Sequence, residues 1–305
     1  MKFQNVDFTM LGKNEKKKLN WKHIVATVTV VVIIIISIYL MINIQKKNRE
    51  AKKGDNIIQQ EETNLGQTEE IKVQDEIKKQ EQAKLPIYSE VALEAIKNIY
   101  KSDEKRVFLT FDDGPSNTVT PTILDVLKEN NVKATFFVLG SRVELYPELL
   151  KREYDEGHYI ANHGYSHKYQ DIYAAVTNVL DEYNKTEECI RNALGTTEYS
   201  SHLFRFPGGL PGGKYANIKK EAATVLEENQ IAHVDWNALT KDAEGSFNKE
   251  QLLNNLYSTT QGKNSVVLLM HDAGNKASTA EALPDVIAYF RDGGYEFKNF
   301  YDIMK

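Results

Sequence analysis

Two adjacent carboxylates are the first residues in this chain that could do chemistry. Asp112 and Asp113 follow a short apolar run, Val107 to Phe111, and precede a Gly-Pro pair. In a tight turn one carboxylate can bind a metal ion while its neighbour serves as a base. Taken alone, an Asp-Asp-Gly-Pro turn is more often an ordinary loop. A catalytic role for the pair therefore needs supporting residues elsewhere in the chain.

That support comes from two histidines four residues apart, His163 and His167. At this spacing both imidazoles can face one point from a helical turn or a compact loop. Two nitrogens and one carboxylate make three protein ligands, which is typical of a catalytic zinc site that keeps one position open. Co, Mn and Fe also accept nitrogen and oxygen ligands. The sequence thus predicts one divalent ion, with zinc as the expected metal.

Short apolar runs alternate with longer segments of helical periodicity in the last 220 residues, which indicates a single α/β domain. Seven strands are predicted, at 107–111, 134–139, 159–161, 203–206, 233–236, 266–270 and 297–300. Helical patterns follow Pro121 and occupy 172–194, 218–229, 249–257 and 282–290. This alternation favours a distorted (β/α) barrel of about seven strands, with its chemistry at the strand ends. An open doubly wound sheet is the alternative.

Composition narrows the class of function. One cysteine, Cys189, excludes an intrachain disulfide and a zinc site built from several cysteines. Residues 86–305 carry 23 Lys and Arg against 32 Asp and Glu, a net charge of −9. Because Lys and Arg supply most of the affinity for phosphate backbones, no nucleic-acid partner is expected.

The N-terminal part has the pattern of a membrane anchor. Residues 24–44 contain no charged side chain, and as a helix they would extend about 31 Å, enough for a hydrocarbon core of about 30 Å. We therefore predict four segments: a basic segment at 1–22, a transmembrane anchor at 23–44, a charged stalk at 45–85 and a globular domain at 86–305. The stalk lacks the apolar content to fold alone.

Lysine and arginine flank both ends of the predicted span, so the positive-inside count is nearly even. The expected arrangement is a single-pass protein of the cell membrane, with its N-terminus in the cytoplasm and its catalytic domain outside. The sequence specifies no oligomeric state.

Further motifs appear at later strand ends, and together they carry a family resemblance. They are Phe204-Arg205-Phe206-Pro207-Gly208-Gly209, a segment from Val234 to Asp242, and Leu268-Leu269-Met270-His271-Asp272. With the two motifs above, this ordered set resembles the polysaccharide deacetylases of the NodB-homology type, also called carbohydrate esterase family 4. These are metal-dependent amidases that remove acetyl groups from N-acetylated sugar polymers. Among them, the chain is similar to membrane-anchored peptidoglycan N-acetylglucosamine deacetylases.

The resemblance implies a role for each motif residue. Asp113, His163 and His167 match the metal ligands, and Asp112 matches the general base that takes a proton from the attacking water. Arg205 matches the residue that holds this base. The backbone N–H of Gly208 matches the oxyanion donor, and Leu269 matches the wall of the acetyl pocket. His271 matches the general acid that protonates the leaving amine, and Asp242 matches the carboxylate that orients this histidine.

Three positions depart from the family pattern. Gly164 stands where Ser or Thr is usual, so a hydrogen bond that supports the metal loop must be lost or replaced. Gly208 stands where an aromatic residue is common, and Ala243 stands where Trp is common. These changes affect the expected walls of the sugar groove more than the expected reaction.

The function implied is removal of N-acetyl groups from N-acetylglucosamine in a cell-wall glycan, with peptidoglycan as the expected polymer. A deacetylase of another aminosugar polymer and an O-acetyl esterase of xylan-like polymer are alternatives within the hydrolases. A wall-binding scaffold with an inactive barrel is the non-enzymatic alternative. The implied partners are the glycan and, through one N-terminal helix, the membrane.

Overall fold

The computed structural model of this chain describes residues 36–41, 43, 85–245 and 247–305. The chain divides into two compact units, Met1–Asp75 and Glu76–Lys305. All strands of the sheet, and the site described below, belong to the second unit. Within the first unit, residues 36–41 and 43 are helical and the side chains described there are exposed.

The strands of the second unit are short, and together they form one sheet. They are β1 (Arg106–Asp112), β2 (Thr135–Val138), β3 (Tyr159–Asn162), β4 (Leu203–Phe204), β5 (Ala232–His233), β6 (Ala238–Leu239), β7 (Ser265–His271) and β8 (Glu296–Lys298). All recorded pairings are parallel, and neighbours follow the order β5-β4-β3-β2-β1-β7-β6. The sheet is therefore the parallel α/β arrangement that the sequence predicts.

Nine helices of the second unit surround this sheet in the described part of the chain. They are α1 (Glu90–Lys97), α2 (Thr120–Glu129), α3 (Gly140–Leu145), α4 (Pro147–Asp155), α5 (Tyr169–Ile172), α6 (Val176–Leu194), α7 (Ala216–Glu228), α8 (Lys249–Thr260) and α9 (Ala277–Asp292). A 3-10 helix, Phe300–Asp302, follows β8.

Strand β1 is the centre of the sheet because it pairs with three other strands. Its whole length lies beside β7. Its other edge is shared, since residues 110–112 pair with β2 and residues 106–108 pair with β8. Seven strands thus form the continuous order, and β8 fills the rest of one edge. No pairing between the end strands β5 and β6 is present among the described residues, so the barrel is open there.

The observed elements correct the sequence prediction in three places. β6 was not predicted, and the predicted last strand is β8, which lies beside β1. α1, α3 and α4 were also not predicted. The helical pattern at 172–194 is interrupted, because Ala175 has extended backbone before α6 begins. At the break, the buried Tyr173 donates a hydrogen bond from its hydroxyl to Pro207 O at 2.8 Å.

The side chains of β1 point alternately to two faces of the sheet: an outer face that packs against helices, and an inner face that carries the polar residues Thr110 and Asp112. In β1, Val107, Leu109 and Phe111 belong to the large cluster that also contains side chains of α2 and α9. The intervening Phe108 packs with Phe137, Tyr159 and Phe300 in a second cluster. Because strand side chains alternate, Thr110 and Asp112 share the inner face with Phe108, nearer the carboxyl end of the strand. On the inner face, the aromatic layer around Phe108 is therefore followed, toward the carboxyl end of β1, by a polar layer of Thr110 and Asp112.

The predicted membrane anchor and stalk lie almost wholly outside the described residues. None of the helices described here combines the length and the apolar character needed to cross a bilayer. The basic segment at 1–22 is likewise outside the described residues.

We predict that residues 86–305 fold without the N-terminal segments. The buried members of the three apolar clusters all lie between Ala92 and Met304, and a backbone hydrogen bond of 3.0 Å joins Ile87 N to Met304 O. The fragment should be soluble and should unfold in one cooperative transition, measured by circular dichroism on heating. Insolubility of the fragment, with no cooperative transition, would show that the core depends on residues before 86.

Candidate active site

The chemistry-bearing residues of the sequence motifs converge at the carboxyl ends of the parallel strands. Asp112 ends β1, His163 follows β3, Arg205 follows β4 and His271 ends β7. Because β1 pairs directly with β7, Asp112 and His271 stand opposite each other in the register. The parallel sheet thus brings together residues that are up to 159 positions apart.

Asp113, His163 and His167 form the cluster predicted for the metal. One ligand atom from each residue lies within 4.8 Å of the others. The Oδ1 atom of Asp113 is 3.6 Å from His163 Nε2 and 3.4 Å from His167 Nε2. This oxygen is buried and accepts no hydrogen bond among the described residues. An unpaired buried carboxylate oxygen between two imidazoles fits a cation.

The orientation of His163 also fits metal binding. Its Nδ1 atom lies 2.7 Å from the backbone oxygen of Arg205, so Nδ1 carries the proton and donates it there. Nε2 consequently keeps its lone pair toward Asp113, as is usual for histidine ligands of metals. Burial lowers the pKa of His163 to about 3. The ring is therefore neutral and can act as a ligand.

The loop that carries both histidines is held by Glu182, a residue of α6 that the sequence analysis did not single out. The Glu182 carboxylate accepts hydrogen bonds from Tyr165 N at 2.7 Å, Ser166 N at 2.8 Å and Ser166 Oγ at 2.6 Å. A Cβ at Gly164 would lie 3.2 Å from Glu182 Oε2, and the φ angle of Gly164 is +79°. The support expected from Ser or Thr at 164 thus comes from this carboxylate instead.

Asp112 is buried and is paired with Arg205. The Nη1 atom of Arg205 donates to Asp112 Oδ1 at 2.8 Å and to Thr110 Oγ1 at 2.7 Å. Burial raises the pKa of Asp112, and the charge of Arg205 partly opposes this rise. Its other oxygen, Oδ2, is 3.7 Å from His163 Nε2. Asp112 therefore presents one oxygen to the site while the other is held by the guanidinium.

At the end of β7, His271 is paired with Asp242, which follows β6. His271 Nδ1 lies 2.8 Å from Asp242 Oδ1, and the His271 backbone N–H donates to Asp242 Oδ2 at 2.8 Å. Thr279 Oγ1 also donates to Oδ2 at 2.8 Å. Burial by itself would lower the pKa of His271, but the hydrogen bond and charge of Asp242 raise it to about 9. Burial would raise the pKa of Asp242, but the hydrogen bonds and charge of His271 lower it.

Leu269 lies on the same face of β7 as His271, because the two are separated by one residue. It is 6% exposed and pairs in register with Thr110 of β1. The structure therefore places an apolar wall beside the proposed acid. An open cleft also borders the metal cluster; its lining residues are Asp113, Leu139, Ser141, Arg142, Leu145, Ser166, His167 and Ala273.

Gly208 is exposed and has a φ angle of +75°, a conformation that favours glycine. The next residues are held by Asp235, whose carboxylate accepts a hydrogen bond from Leu210 N at 3.1 Å. Tyr169 of α5 lies against Gly208, and its ring centroid is 5.6 Å from that of His167. Burial, and then the charge of Asp113, raise the pKa of Tyr169. An aromatic side chain thus reaches this place from α5, although position 208 has none.

Asp272 has a structural position beneath the loop after β1. It is fully buried, and its Oδ2 accepts a hydrogen bond from Thr120 Oγ1 at 2.5 Å. A Cβ at Gly114 would overlap this carboxylate. Gly114 is therefore required for the close approach of the two loops that carry Asp113 and His271.

The comparisons with known proteins agree with this geometry. Residues 100–227 match the family described as polysaccharide deacetylase. The chain is 36% identical over 197 residues to the peptidoglycan-N-acetylglucosamine deacetylase PgdA of Listeria monocytogenes; the match covers 63% of this chain and 37% of that protein. It is 34% identical over 208 residues to the putative polysaccharide deacetylase YheN of Bacillus subtilis, covering 66% of this chain and 69% of that protein.

A solved structure of a Streptococcus mutans CE4 esterase is also similar. The TM-score is 0.63 and the sequence identity is 31%, and the match covers 70% of this chain and 92% of that one. The similarity therefore extends over nearly the whole of that esterase chain.

We predict that His163→Ala and His167→Ala each lower the bound divalent metal, because each removes one of three ligands. Elemental analysis after dialysis against dilute zinc should give about one ion per parent chain and much less in either variant. His202→Asn is the matched control, since His202 lies outside the cluster and its φ angle of +49° is one that Asn tolerates. Equal zinc in the parent and in both ligand variants would contradict this ligand set.

Proposed function

Because this chain belongs to the polysaccharide deacetylase family of the NodB-homology type, we propose that it is a metal-dependent hydrolase that removes N-acetyl groups from N-acetylglucosamine in peptidoglycan. One observation carries the proposal. Two buried pairs, Asp112 with Arg205 and His271 with Asp242, lie at the same strand ends as the cluster of Asp113, His163 and His167. Peptidoglycan is the substrate named for the Listeria relative, of which this chain spans 37%.

Asp113, His163 and His167 would hold the metal ion. A donor set of two nitrogens and one carboxylate oxygen supports zinc, and Co, Mn and Fe are compatible with the same atoms. When bound, such an ion polarises a carbonyl group and lowers the pKa of water. The protein's own part is to fix these ligands, through Arg205 O on His163 and through Glu182 on the loop.

Asp112 is proposed as the general base. Its Oδ2 faces the cluster, while its Oδ1 is bonded to Arg205 Nη1. The raised pKa of the buried carboxyl strengthens it as a proton acceptor. Water would attack the acetyl carbon, its proton would pass to Asp112, and the electron pair of the C=O bond would move onto the carbonyl oxygen. The Gly208 N–H is proposed to donate a hydrogen bond to this oxygen.

His271 is proposed as the general acid. Collapse of the tetrahedral intermediate breaks the C–N bond, and the sugar nitrogen needs a proton to leave as an amine. Asp242 accepts a hydrogen bond from Nδ1–H of His271, so Nε2 is the atom left to give a proton to the substrate. With a pKa of about 9, the imidazole is protonated at neutral pH. The products are acetate and a free amino sugar, and Leu269 would contact the acetyl methyl group.

We also propose a membrane setting for this activity. The uncharged run at 24–44 would anchor the chain, with the N-terminus in the cytoplasm, and residues 45–85 would extend the catalytic domain outward. A tether of this kind suits an insoluble polymer near the membrane, whereas a small soluble substrate would need neither segment.

The decisive experiment compares four substrates for acetate release by the zinc-loaded protein. Peptidoglycan, poly-N-acetylglucosamine, chitin oligomers and O-acetylated xylan should be assayed side by side. We expect the highest kcat/KM on peptidoglycan. A preference for another aminosugar polymer or for acetylated xylan would overturn the substrate, and no release from any of them would favour an inactive wall-binding scaffold.

We predict that Asp112→Asn and His271→Ala each remove most turnover while zinc stays bound, because neither residue belongs to the ligand set. Positioned acids and bases contribute about 10² to 10⁴ in rate, or about 2.7 to 5.4 kcal/mol of barrier. Asp112→Asn should have the larger effect near neutral pH. Asn is the appropriate substitution because its amide oxygen can still accept from Arg205. Acetate release and zinc content should be measured on the same samples; a variant that keeps zinc and more than about a tenth of parental kcat would contradict its assigned role.

We further predict that Asp242→Asn moves the alkaline limb of the kcat profile to lower pH. A general acid works only while protonated, so the parental rate should fall as pH rises through about 9. Loss of the Asp242 charge leaves burial as the larger influence, and burial lowers the pKa of His271. A displacement on the order of two pH units is expected.

The matched control for this profile is Asp285→Asn, which neutralises a half-exposed carboxylate of α9 paired with Lys249. Its alkaline limb should coincide with that of the parent. An unchanged limb in Asp242→Asn would assign the acid to a group other than His271.

A further inference from the structure

Tyr169 brings an unassigned polar group to the edge of the site. It begins α5, two residues beyond His167, and its ring contacts both His167 and Tyr173, with centroid distances of 5.6 and 5.7 Å. Tyr173 is buried, and its hydroxyl is bonded to Pro207 O. Tyr169 itself is 41% exposed. Its ring thus packs against these two side chains while much of its surface stays exposed.

The hydroxyl of Tyr169 lies directly over Gly208. A Cβ built on Gly208 would overlap the Tyr169 oxygen and would lie 3.0 Å from Cζ of the same ring. Any side chain at 208 would therefore displace the hydroxyl, and the φ angle of +75° disfavours such a side chain as well. Since Cβ and the backbone nitrogen are bonded to the same Cα, the hydroxyl and the Gly208 N–H lie close together.

Both groups are free to bind a ligand. In the part of the chain that the structure describes, neither the Tyr169 hydroxyl nor the Gly208 N–H donates a hydrogen bond to a protein acceptor. A phenol hydroxyl is a donor at neutral pH. Two unengaged donors thus lie close together, and the ring that carries one of them contacts His167.

We propose that Tyr169 is a further catalytic residue, whose hydroxyl donates a hydrogen bond to the acetyl carbonyl oxygen beside the Gly208 N–H. This inference rests on the proposed deacetylation. As water adds to the carbonyl carbon, the oxygen gains negative charge, and donors already in place stabilise that charge more than they stabilise the neutral carbonyl. No proton leaves Tyr169, so the overall reaction remains amide plus water giving acetate plus amine.

A different role for Tyr169 predicts a different result. If its ring only forms a wall or stacks on a sugar, Phe at 169 keeps that surface and turnover stays the same. If its hydroxyl binds the sugar equally in the ground state and the transition state, its loss raises KM and leaves kcat unchanged. A donor to the developing oxyanion instead lowers kcat. Tyr169→Phe therefore separates the three cases.

The test uses Tyr169→Phe in the full zinc-loaded protein, with p-nitrophenyl acetate and the best glycan as substrates. We expect kcat to fall by about 10² on both, because the carbonyl oxygen becomes charged in ester and amide hydrolysis alike. Zinc content and the melting temperature should match the parent. Tyr257→Phe is the matched control, since Tyr257 is a similarly exposed residue of α8, 44% exposed, and should behave as the parent.

A second readout measures binding instead of turnover. Isothermal titration with the methylphosphonamide of glucosamine, a tetrahedral mimic with an anionic oxygen, should show a Kd weakened by a factor similar to the fall in kcat. The Kd of the acetate product should change much less. A variant that keeps more than half of the parental kcat, a Kd for the phosphonamide that rises less than twofold, or a rise in KM alone would overturn the proposal.

These measurements also distinguish the failure of this inference from the failure of the proposed function. If the parent hydrolyses the ester but no glycan, the proposed substrate is wrong, and the effect of Tyr169→Phe on ester turnover still decides the role of the hydroxyl. If the parent hydrolyses neither, the phosphonamide titration decides it. If the parent is active on glycan and the Tyr169→Phe variant is equally active, the proposed function stands and only the inference about Tyr169 is wrong.

Discussion

The buried guanidinium of Arg205 is the interaction on which the rest of the site depends. Its side chain is fully buried and donates to Thr110, Asp112 and the backbone oxygens of Val234 and Asp235. It also lies over the Phe137 ring, 3.9 Å from the centroid. A charge removed from water is tolerated only when it is paired and its donors are satisfied. One residue therefore ties β1 to the segment after β5 and leaves a single orientation for the proposed base.

The backbone of the same residue orients His163, one of the three proposed metal ligands. Arg205 N donates to Asn162 O, and Arg205 O accepts a hydrogen bond from Nδ1–H of His163. The proposed base and the first histidine are thus positioned from one point in the chain, which keeps their separation constant. On the other side, Asp242 bonds both the ring and the backbone of His271. The proposed base and acid are therefore held by independent contacts, so each can have the pKa its role requires.

At Gly164 and Gly208, where the chain departs from the family pattern, side chains from neighbouring helices lie against the glycine or bond the loop that contains it. Glu182, from α6, bonds the loop around Gly164, and Tyr169, from α5, occupies the space above Gly208. Both glycines have positive φ angles, +79° and +75°, which allow these close approaches. The loops of this site consequently owe their shape to side chains on neighbouring helices, and the chemistry of a loop cannot be assessed from its own residues alone.

Local sequence determined the parts of this protein that depend on residue type and near spacing. The apolar runs at 107–111 and 266–270 indicated the two long buried strands. Through the family resemblance, the order of Asp112, Asp113, His163, His167, Arg205 and His271 indicated a hydrolytic metal site. Strands of two residues, such as β6, carry too few side chains for a periodic signal. Tertiary structure alone decided that β8 shares an edge of β1, that no described strand closes the barrel between β5 and β6, and that Glu182, Tyr169 and Thr279 support the site. These contacts join residues that are distant in the chain or on separate elements, and only the folded sheet brings them within hydrogen-bond or van der Waals distance.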